Sequence, residues 1–151
     1  VGLLSAGGVH AHQDHNLAVV NGLAEAGSTV VIHGFTDGRD VLPRDAGISL
    51  QNFVADLPDN ASIGSLTGRY FGMDRDHRWD RTQKAYDAIA RGRAEHHADD
   101  AMQALQTGYV RGESDEFLSA TIIGDYAGMR DGDGRVMMNF RADRAPNMCY
   151  P

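Results

Sequence analysis

Apolar and polar positions follow two different periods along this chain. Compact apolar runs rich in β-branched residues and bounded by glycine or polar residues are typical of buried strands. They cover residues 1–5, 29–35 and 62–67. Between them, apolar residues recur every three or four positions, which is the spacing of a helix with one buried face. The predicted helices cover residues 13–26, 45–57, 79–91 and 99–109. Strands separated by helices predict a single α/β domain, a mostly parallel sheet flanked by helices.

The last third of the chain has a weaker pattern. Residues 117–123 fit a strand or an extended segment, residues 131–134 predict a turn, and residues 135–140 predict a last strand. His96 and His97 are interpreted as part of a solvated loop. We expect the domain to extend over residues 1–145, with residues 146–151 forming a truncated or divergent tail.

Two single residues are assigned to the core. His33 lies within a β-branched run and is predicted to be a buried histidine with a hydrogen-bond partner. Trp79, at the start of a predicted helix, is expected to anchor that helix by packing.

Charge and composition exclude several classes of partner. A net charge of −7 argues against nucleic acid, which basic surfaces bind. No apolar run approaches the roughly 20 residues that a membrane span needs, so we expect no membrane association. Residues 1–5 are too short for a signal peptide, and the single Cys149 cannot form an internal disulfide. We therefore expect a cytosolic protein, and a monomer.

Arginine dominates the basic residues, with Lys84 the single lysine among 14 Lys and Arg residues. A GC-rich genome would explain this ratio, and so would a need for forked donors to carboxylate and phosphate groups. The positions of the arginines in the chain must decide between these explanations.

The loops after four predicted strands carry charged residues. In a parallel α/β sheet, ligands bind beyond the carboxyl ends of the strands, where these loops converge. The expected edge therefore collects a set of cationic side chains around Asp40. These are His10, Arg39, Arg69, Arg75, Arg141 and Arg144.

Converging guanidinium groups repel one another unless anionic groups lie among them. Neighbouring aspartates could supply the negative charge for each arginine, and Asp40 itself could be a plain ion-pair partner. The recurrence of the pattern in four loops favours a bound ligand instead. A small, multiply charged phosphorylated hydroxy acid fits, because phosphate and carboxylate both accept the arginine fork.

The same loops carry a family resemblance. Four segments resemble, in order and spacing, motifs of cofactor-independent phosphoglycerate mutase, and together they span the chain from its start to about Arg144. They are Gly7-Gly8-Val9-His10-Ala11-His12, His33-Gly34-Phe35-Thr36-Asp37-Gly38-Arg39-Asp40, the stretch from Gly68-Arg69-Tyr70-Phe71-Gly72-Met73-Asp74-Arg75 to Arg81, and Asn139-Phe140-Arg141-Ala142-Asp143-Arg144.

The resemblance implies interconversion of 3-phosphoglycerate and 2-phosphoglycerate through a phosphoserine. It also implies that this domain is excised from a two-domain enzyme of the alkaline phosphatase superfamily. The missing domain would hold two manganese ions and the serine, and no cofactor is expected in this chain. Asp40 would act as general acid and base. The substrate contacts carried over are His10, Arg39, Asp40, Arg69, Arg75, Arg141 and Arg144.

Two departures from the family pattern matter. Ala6 stands where the family usually has Asp, and residues 145–151 do not continue the helix expected after Arg144. The chain also supplies no nucleophilic serine motif, so we expect weak binding and no turnover by the chain alone.

Two other functions remain open at this point. The string His10-Ala11-His12-Gln13-Asp14-His15 also fits the H-x-H-x-D-H ligands of zinc-dependent hydrolases. Only nine residues precede His10, however, and the later ligands of that pattern are not found. A non-catalytic module that binds an anionic metabolite would use the same arginines.

Overall fold

The computed structural model describes residues 1–141 and contains one five-stranded sheet with helices on both faces. In chain order the strands and helices are β1 (Gly2–Leu3), α1 (Gln13–Glu25), β2 (Val30–Thr36), α2 (Ala46–Ala55), β3 (Ala61–Gly68), α3 (Arg69–Gly72), α4 (Trp79–Arg91), β4 (His96–Ala98), α5 (Ala101–Val110) and β5 (Thr121–Ile123), with a 3₁₀ turn at Asp115–Phe117. The strand order is β1-β2-β3-β5-β4, and only the β3–β5 pair is antiparallel. The predicted mostly parallel α/β fold is confirmed.

Each face of the sheet has its own hydrophobic core, because neighbouring residues of a strand point to opposite sides. Leu4 packs with residues of α1, α2 and α5, such as Val20, Phe53 and Leu105. Leu3, its neighbour, belongs to the cluster on the other face, with Ile89 of α4 among its members. Helices cover both faces, so the sheet is open at the two ends of its strands. We call these ends the amino edge and the carboxyl edge, after the direction of β1, β2 and β3.

The boundaries of α4 were predicted to the residue, and local signals explain why. The helix buries Ala85 and Ile89 on one face. It ends at Gly92, whose φ of +59° is the left-handed conformation that glycine adopts without a Cβ clash. A Cβ at this position would lie 2.4 Å from the carbonyl carbon of Ala127. The stop signal is therefore enforced by both conformation and space.

The predicted strand at residues 135–140 is wrong as a regular strand. The segment lies beside β1, where the Val1 amine donates to the carbonyl of Val136 at 2.9 Å and Met138 N–H donates to the carbonyl of Val1 at 2.9 Å. At Leu3, however, the N–H donates to the side-chain Oδ1 of Asn139 at 3.0 Å. The ladder stops because a side chain replaces the main-chain acceptor.

Two further expectations are wrong. The supposed loop at His96 and His97 is part of β4, which pairs in parallel with β5. Trp79 is 56% exposed and anchors no core. Of residues 117–123, the first ends the 3₁₀ turn, residues 118–120 are irregular, and the last three form β5.

His33 is a core histidine, as predicted. It is 5% exposed, its Nδ1 lies 2.8 Å from Ser65 Oγ, and its ring meets the ring of Tyr126 edge-on at 4.8 Å. Burial, with smaller contributions from the amino terminus and Arg135, lowers the pKa of His33 to about 3. In residues 1–141 no helix is both long and apolar enough to span a membrane.

Candidate functional site

Three of the four charged loops meet at the carboxyl ends of β1, β2 and β3. The parallel register aligns Leu3 with Phe35 and Thr36 with Gly68, so the residues that follow each strand emerge side by side. Residues 5–10, residues 37–40 and Arg69 are thereby brought to one edge. We call the contacting group His10, Asp37, Asp40 and Arg69 the carboxyl-edge cluster.

Arg69 is the centre of this cluster. Its Nη1 lies 2.5 Å from Asp37 Oδ1 and 2.5 Å from Asp40 Oδ2. The side chain is 2% exposed, so its charge depends on these carboxylates for compensation. Burial by itself would lower the pKa of Arg69, but hydrogen bonds and attraction from Asp40 and Asp37 raise it. For Arg69, the alternative that neighbouring aspartates neutralise the guanidinium is the one observed.

Asp37 organises the loop after β2. Its Oδ2 accepts from Ser5 Oγ at 2.6 Å, and its Oδ1 accepts from the N–H of Arg39 at 3.2 Å and of Asp40 at 3.0 Å. Burial would raise the pKa of Asp37, but these bonds and Arg69 outweigh it, so the pKa is lowered. The side chain of Asp37 therefore holds the main chain of Asp40 at this edge.

Asp40 is the member of the cluster that solvent reaches. Its side chain is 18% exposed, and its Oδ2 lies 3.9 Å from Nε2 of His10, which is 3% exposed. Phe140 N–H donates to the carbonyl of His10 at 2.9 Å, so the fourth charged loop also reaches this edge. A carboxylate beside a histidine and a guanidinium, partly open to solvent, has the composition of a general acid–base site.

The remaining predicted arginines that the structure describes, Arg39, Arg75 and Arg141, are not members of the cluster. Arg39 is 53% exposed, and its Nη1 lies 3.3 Å from Glu116 Oε1. Arg75 and Arg141 are exposed, and Arg144 lies outside the described residues. The structure therefore brings His10, Asp40 and Arg69 into contact, while a contact of each predicted residue with substrate stays a prediction.

The loop that carries Arg75 is built around Asp74. The Oδ2 of Asp74 accepts from the N–H of Asp76 at 3.2 Å and of Arg78 at 2.9 Å, and its Oδ1 lies 3.3 Å from Arg81 Nη1. The Arg81 guanidinium also stacks 4.0 Å from the ring centroid of Tyr70. These contacts fix the path of the chain on both sides of Arg75.

Sequence reasoning missed several residues that shape the site. Asp37 was treated as a neutralising neighbour, and Ser5 gave no signal. Asp115 and Glu116 touch the loop of Arg39 from a distant part of the chain. Residue type and spacing carry no information on such long-range pairs, so only the folded chain could reveal them.

No metal site is formed by the side chains described for residues 1–141, where no three His, Cys, Asp or Glu residues are grouped to hold an ion. The His10-to-His15 string does not assemble as a zinc site. His10 lies beside Asp40, whereas Nδ1 of His12 caps α1 by accepting from Asp14 N–H at 3.3 Å. These placements remove the support for the zinc hydrolase reading.

A separate cavity lies at the opposite edge of the sheet, where β2 and β3 begin. Its volume is about 1210 Å³, and its lining includes Val31, His33, Gly64 and Tyr126. None of the predicted site residues that the structure describes lines it. Empty volume and the carboxyl-edge cluster are thus on different edges of the molecule.

Fold and cluster together define an α/β domain with a cluster of charged side chains at the carboxyl ends of parallel strands. The family model described as "BPG-independent PGAM N-terminus (iPGM_N)" matches residues 1–150. The chain belongs to this family, and the resemblance inferred from its motifs is confirmed.

Relatives named 2,3-bisphosphoglycerate-independent phosphoglycerate mutase include proteins of Dinoroseobacter shibae and Gluconobacter oxydans. The first is 51% identical over 145 residues, which is 96% of this chain and 28% of the relative. The second is 49% identical over 144 residues, 95% of this chain and 28% of the relative. The chain thus spans little more than a quarter of their length.

A solved structure of phosphoglycerate mutase from Leishmania mexicana, determined at low cobalt concentration, has the same fold. It matches with a TM-score of 0.91 and 28% sequence identity, covering 97% of this chain and 30% of that one. The shared region is again a part of a longer protein.

Proposed function

We propose that this chain is the substrate-binding, phosphotransferase domain of a phosphoglycerate mutase that interconverts 3-phosphoglycerate and 2-phosphoglycerate. A phosphoserine held by the rest of the protein would carry the phosphoryl group between the two hydroxyls. The family match and the names of the relatives support this reaction. The observation that carries it is the position of Asp40, held by Arg69 and next to His10 at a solvent-reachable edge.

Asp40 is the proposed general acid and base. The glycerate oxygen that gives its phosphoryl group to the serine must take up a proton, and the other glycerate hydroxyl must lose one as it attacks the phosphoserine. Asp40 is fixed on one side by Arg69 and by its own N–H, so its free oxygen can face the ligand without a large loss of entropy. His10, at 3.9 Å, helps to position the hydroxyl.

Charge balance assigns the anion-binding role to the outer arginines. The cluster contains the two carboxylates of Asp37 and Asp40 and one guanidinium, that of Arg69. These three groups have a net negative charge together and therefore do not attract a trianion. Arg39, Arg75, Arg141 and Arg144, which the motifs predict as substrate contacts, would supply the positive charge for carboxylate and phosphate. Arg69 holds Asp40, and its contacts with both carboxylates use Nη1, so a direct contact with substrate would not require it to release a carboxylate.

The partner of this domain would be a phosphatase-like domain of the same protein. It would supply the serine and two manganese ions, which activate the serine and stabilise phosphoryl charge. We also propose a monomeric, cytosolic protein with residues 1–145 as the domain. A module that only binds an anionic metabolite is the alternative, and activity separates the two.

A chimera tests the proposal. This chain replaces the equivalent 145-residue segment of the Dinoroseobacter shibae relative, and mutase activity is measured with 3-phosphoglycerate. We expect an active chimera, and Asp40→Asn should lower kcat by about 10²- to 10⁴-fold, the usual contribution of a general acid–base group.

Asp59→Asn is the matched control, because Asp59 is an exposed aspartate of the cavity at the other edge. It should leave kcat unchanged. A chimera that is folded and metal-loaded but inactive would contradict the mutase function, and an unaffected Asp40→Asn variant would contradict the role of Asp40.

A further inference from the structure

The loop that carries Arg39 and Asp40 is held by a residue far away in the chain. We propose that Asp115 is a positioning residue, which fixes residues 37–45 and through them sets the place of Asp40 at the site. We call residues 37–45 the Asp40 loop. The inference rests on the proposed function, because it assigns Asp115 a part in the same site.

The main chain of residue 115 bonds to both ends of the Asp40 loop. Thr36, the last residue of β2, donates its Oγ1 to the carbonyl of Asp115 at 2.6 Å. The N–H of Asp115 donates to the carbonyl of Pro43 at 2.9 Å. One residue thus holds the chain both where it leaves β2 and where it approaches α2.

The Asp115 side chain caps the helix that follows the loop. Its Oδ2 accepts from the N–H of Asp45 and of Ala46, both at 2.9 Å. Asp45 occupies the N-cap position of α2, but its own side chain makes no capping bond. Asp115 therefore supplies the negative oxygen that a helix start favours.

Burial makes this arrangement rigid. Asp115 is 0% exposed, and Oδ1 accepts a hydrogen bond from the Tyr109 hydroxyl on α5. Burial raises the pKa of Asp115, while the bonds from Tyr109, Ala46 and Asp45 oppose that rise. Because the Asp115 carboxylate is buried, water cannot replace these three donors if they are lost. Breaking the bonds would leave an unsatisfied buried charge, so the contacts persist.

Close packing against residues 115 and 116 also fixes the loop at Gly38. Gly38 adopts a φ of +65°, and a Cβ there would lie 2.9 Å from Asp115 Cβ and 2.8 Å from the nitrogen of Glu116. Glu116, the next residue, pairs with Arg39 through Oε1 and Nη1 at 3.3 Å. The Asp40 loop is thus clamped at its ends by Asp115 and in its middle by the same turn.

A displacement of this clamp should change catalysis more than it changes folding. A misplacement of about 1 Å in a reacting group can cost on the order of 100-fold in rate. Asp115 is 0% exposed and cannot touch a ligand, so its effect must pass through the loop. It is therefore a positioning residue rather than a catalytic one.

The experiment uses the chimera with Asp115→Ala, Asp115→Asn and Tyr109→Phe. Leu105→Ala on α5 is the control, because Leu105 is 1% exposed and its truncation destabilises the core without touching the loop. The readouts are kcat, KM, the denaturation midpoint, and hydrogen exchange of peptides that span residues 36–46. Kinetics are measured where every variant is folded.

We expect Asp115→Ala to lower kcat about 100-fold and to speed exchange of the loop about 10-fold. Asp115→Asn should recover most of both, because its Oδ1 can accept the two amide bonds while its amide donates to Tyr109. Tyr109→Phe removes one donor and should give a smaller loss of kcat, with the fold retained. Leu105→Ala should change neither kcat nor loop exchange beyond about two-fold at a comparable loss of stability.

Two failures are distinguishable. If the unsubstituted chimera is active but the Asp115 variants match Leu105→Ala in kcat and exchange, the positioning role is overturned. If the unsubstituted chimera is folded but inactive, the proposed function fails. Exchange of residues 36–46 then still decides whether Asp115 holds the loop.

Discussion

The two edges of the sheet differ in the charge state of their buried groups. At the amino edge, an open cavity of about 1210 Å³ is bordered by His33, which burial keeps neutral with a pKa of about 3. At the carboxyl edge, the space is filled by charged groups, and Asp37 keeps a lowered pKa because hydrogen bonds and Arg69 outweigh its burial. Bonded charge, rather than empty volume, marks the edge where chemistry is expected.

The difference follows from chain direction. Parallel strands β1, β2 and β3 deliver their following loops to one edge, so polar side chains from distant segments can bond there. At the amino edge, Nδ1 of His33 is bonded to Ser65 Oγ, and the hydroxyl of Tyr126 donates to the carbonyl of Ile89. The predictions below test this contrast.

The largest effect on stability is expected at Arg69. Arg69→Met leaves the buried carboxylate of Asp37 and the half-buried one of Asp40 without a cation, and the loss at Asp37 should cost about 3–5 kcal/mol of unfolding free energy. Urea denaturation measures this loss. Arg78→Met is the control, since Arg78 pairs with Asp80 on the exposed surface, where solvent screens the pair, and it should cost far less. Equal losses in the two variants would contradict the buried cluster.

The two edges should lose stability in different pH windows. His33 has a folded pKa of about 3 against 6.5 unfolded, so protons bind the unfolded chain first and stability falls from about pH 6.5 towards 3. Asp37 has a lowered pKa, so its contribution is present above about 3.8 and is lost as the pH falls further.

Each window has its own variant. His33→Gln should flatten the fall between pH 6.5 and 4, where one proton accounts for up to about 1.4 kcal/mol per pH unit. Asp37→Asn should instead remove the loss below about pH 3.8. Denaturation midpoints across this range measure both, and exchanged windows would show that the assignment of the edges is wrong.

A third effect compares glycines of β3 near the two edges. A Cβ at Gly68 would meet the main-chain carbonyl oxygen of Glu116 at 2.4 Å, whereas at Gly64 the nearest atom is the side-chain Cγ1 of Val31 at 2.5 Å. Gly68→Ala should therefore cost about 1–3 kcal/mol because backbone must move, and Gly64→Ala should cost less. Thermal denaturation gives the order, and the reverse order would contradict it.

The smallest effect is expected at His77, in the loop of Arg75. Its φ of +55° is left-handed, which costs most residues about 1–2 kcal/mol but costs Asn less. His77→Asn should raise the unfolding free energy by up to about 1 kcal/mol. His77→Ala is the control and should give no such gain, because alanine lacks a polar side chain that eases the left-handed conformation.

Local signals determined how much of the fold could be predicted. The helices with one apolar face and a glycine stop, such as α4, were placed within a few residues. β4 was missed because His96-His97-Ala98 has no apolar pattern, and its strand conformation depends on pairing with β5. Residues 135–140 have the apolar pattern of a strand, but Asn139 interrupts the ladder.

The sequence predicted the location of the site but not which side chains pair with each other there. The order of strands and loops predicted that His10, Asp40 and Arg69 would meet. Whether Arg69 faces a ligand or a carboxylate depends on atomic positions, which residue types do not contain. The bond from Thr36 to Asp115 joins residues 79 apart in sequence, and no local pattern indicates it.

The most direct test of the carboxyl-edge site is a titration of the ¹⁵N-labelled chain with 3-phosphoglycerate, followed by NMR. The account predicts that amide shifts change at Gly38, Arg39 and Asp40 and stay constant at Gly64 and Tyr126. Shifts confined to Gly64, Tyr126 and the cavity around them would contradict it.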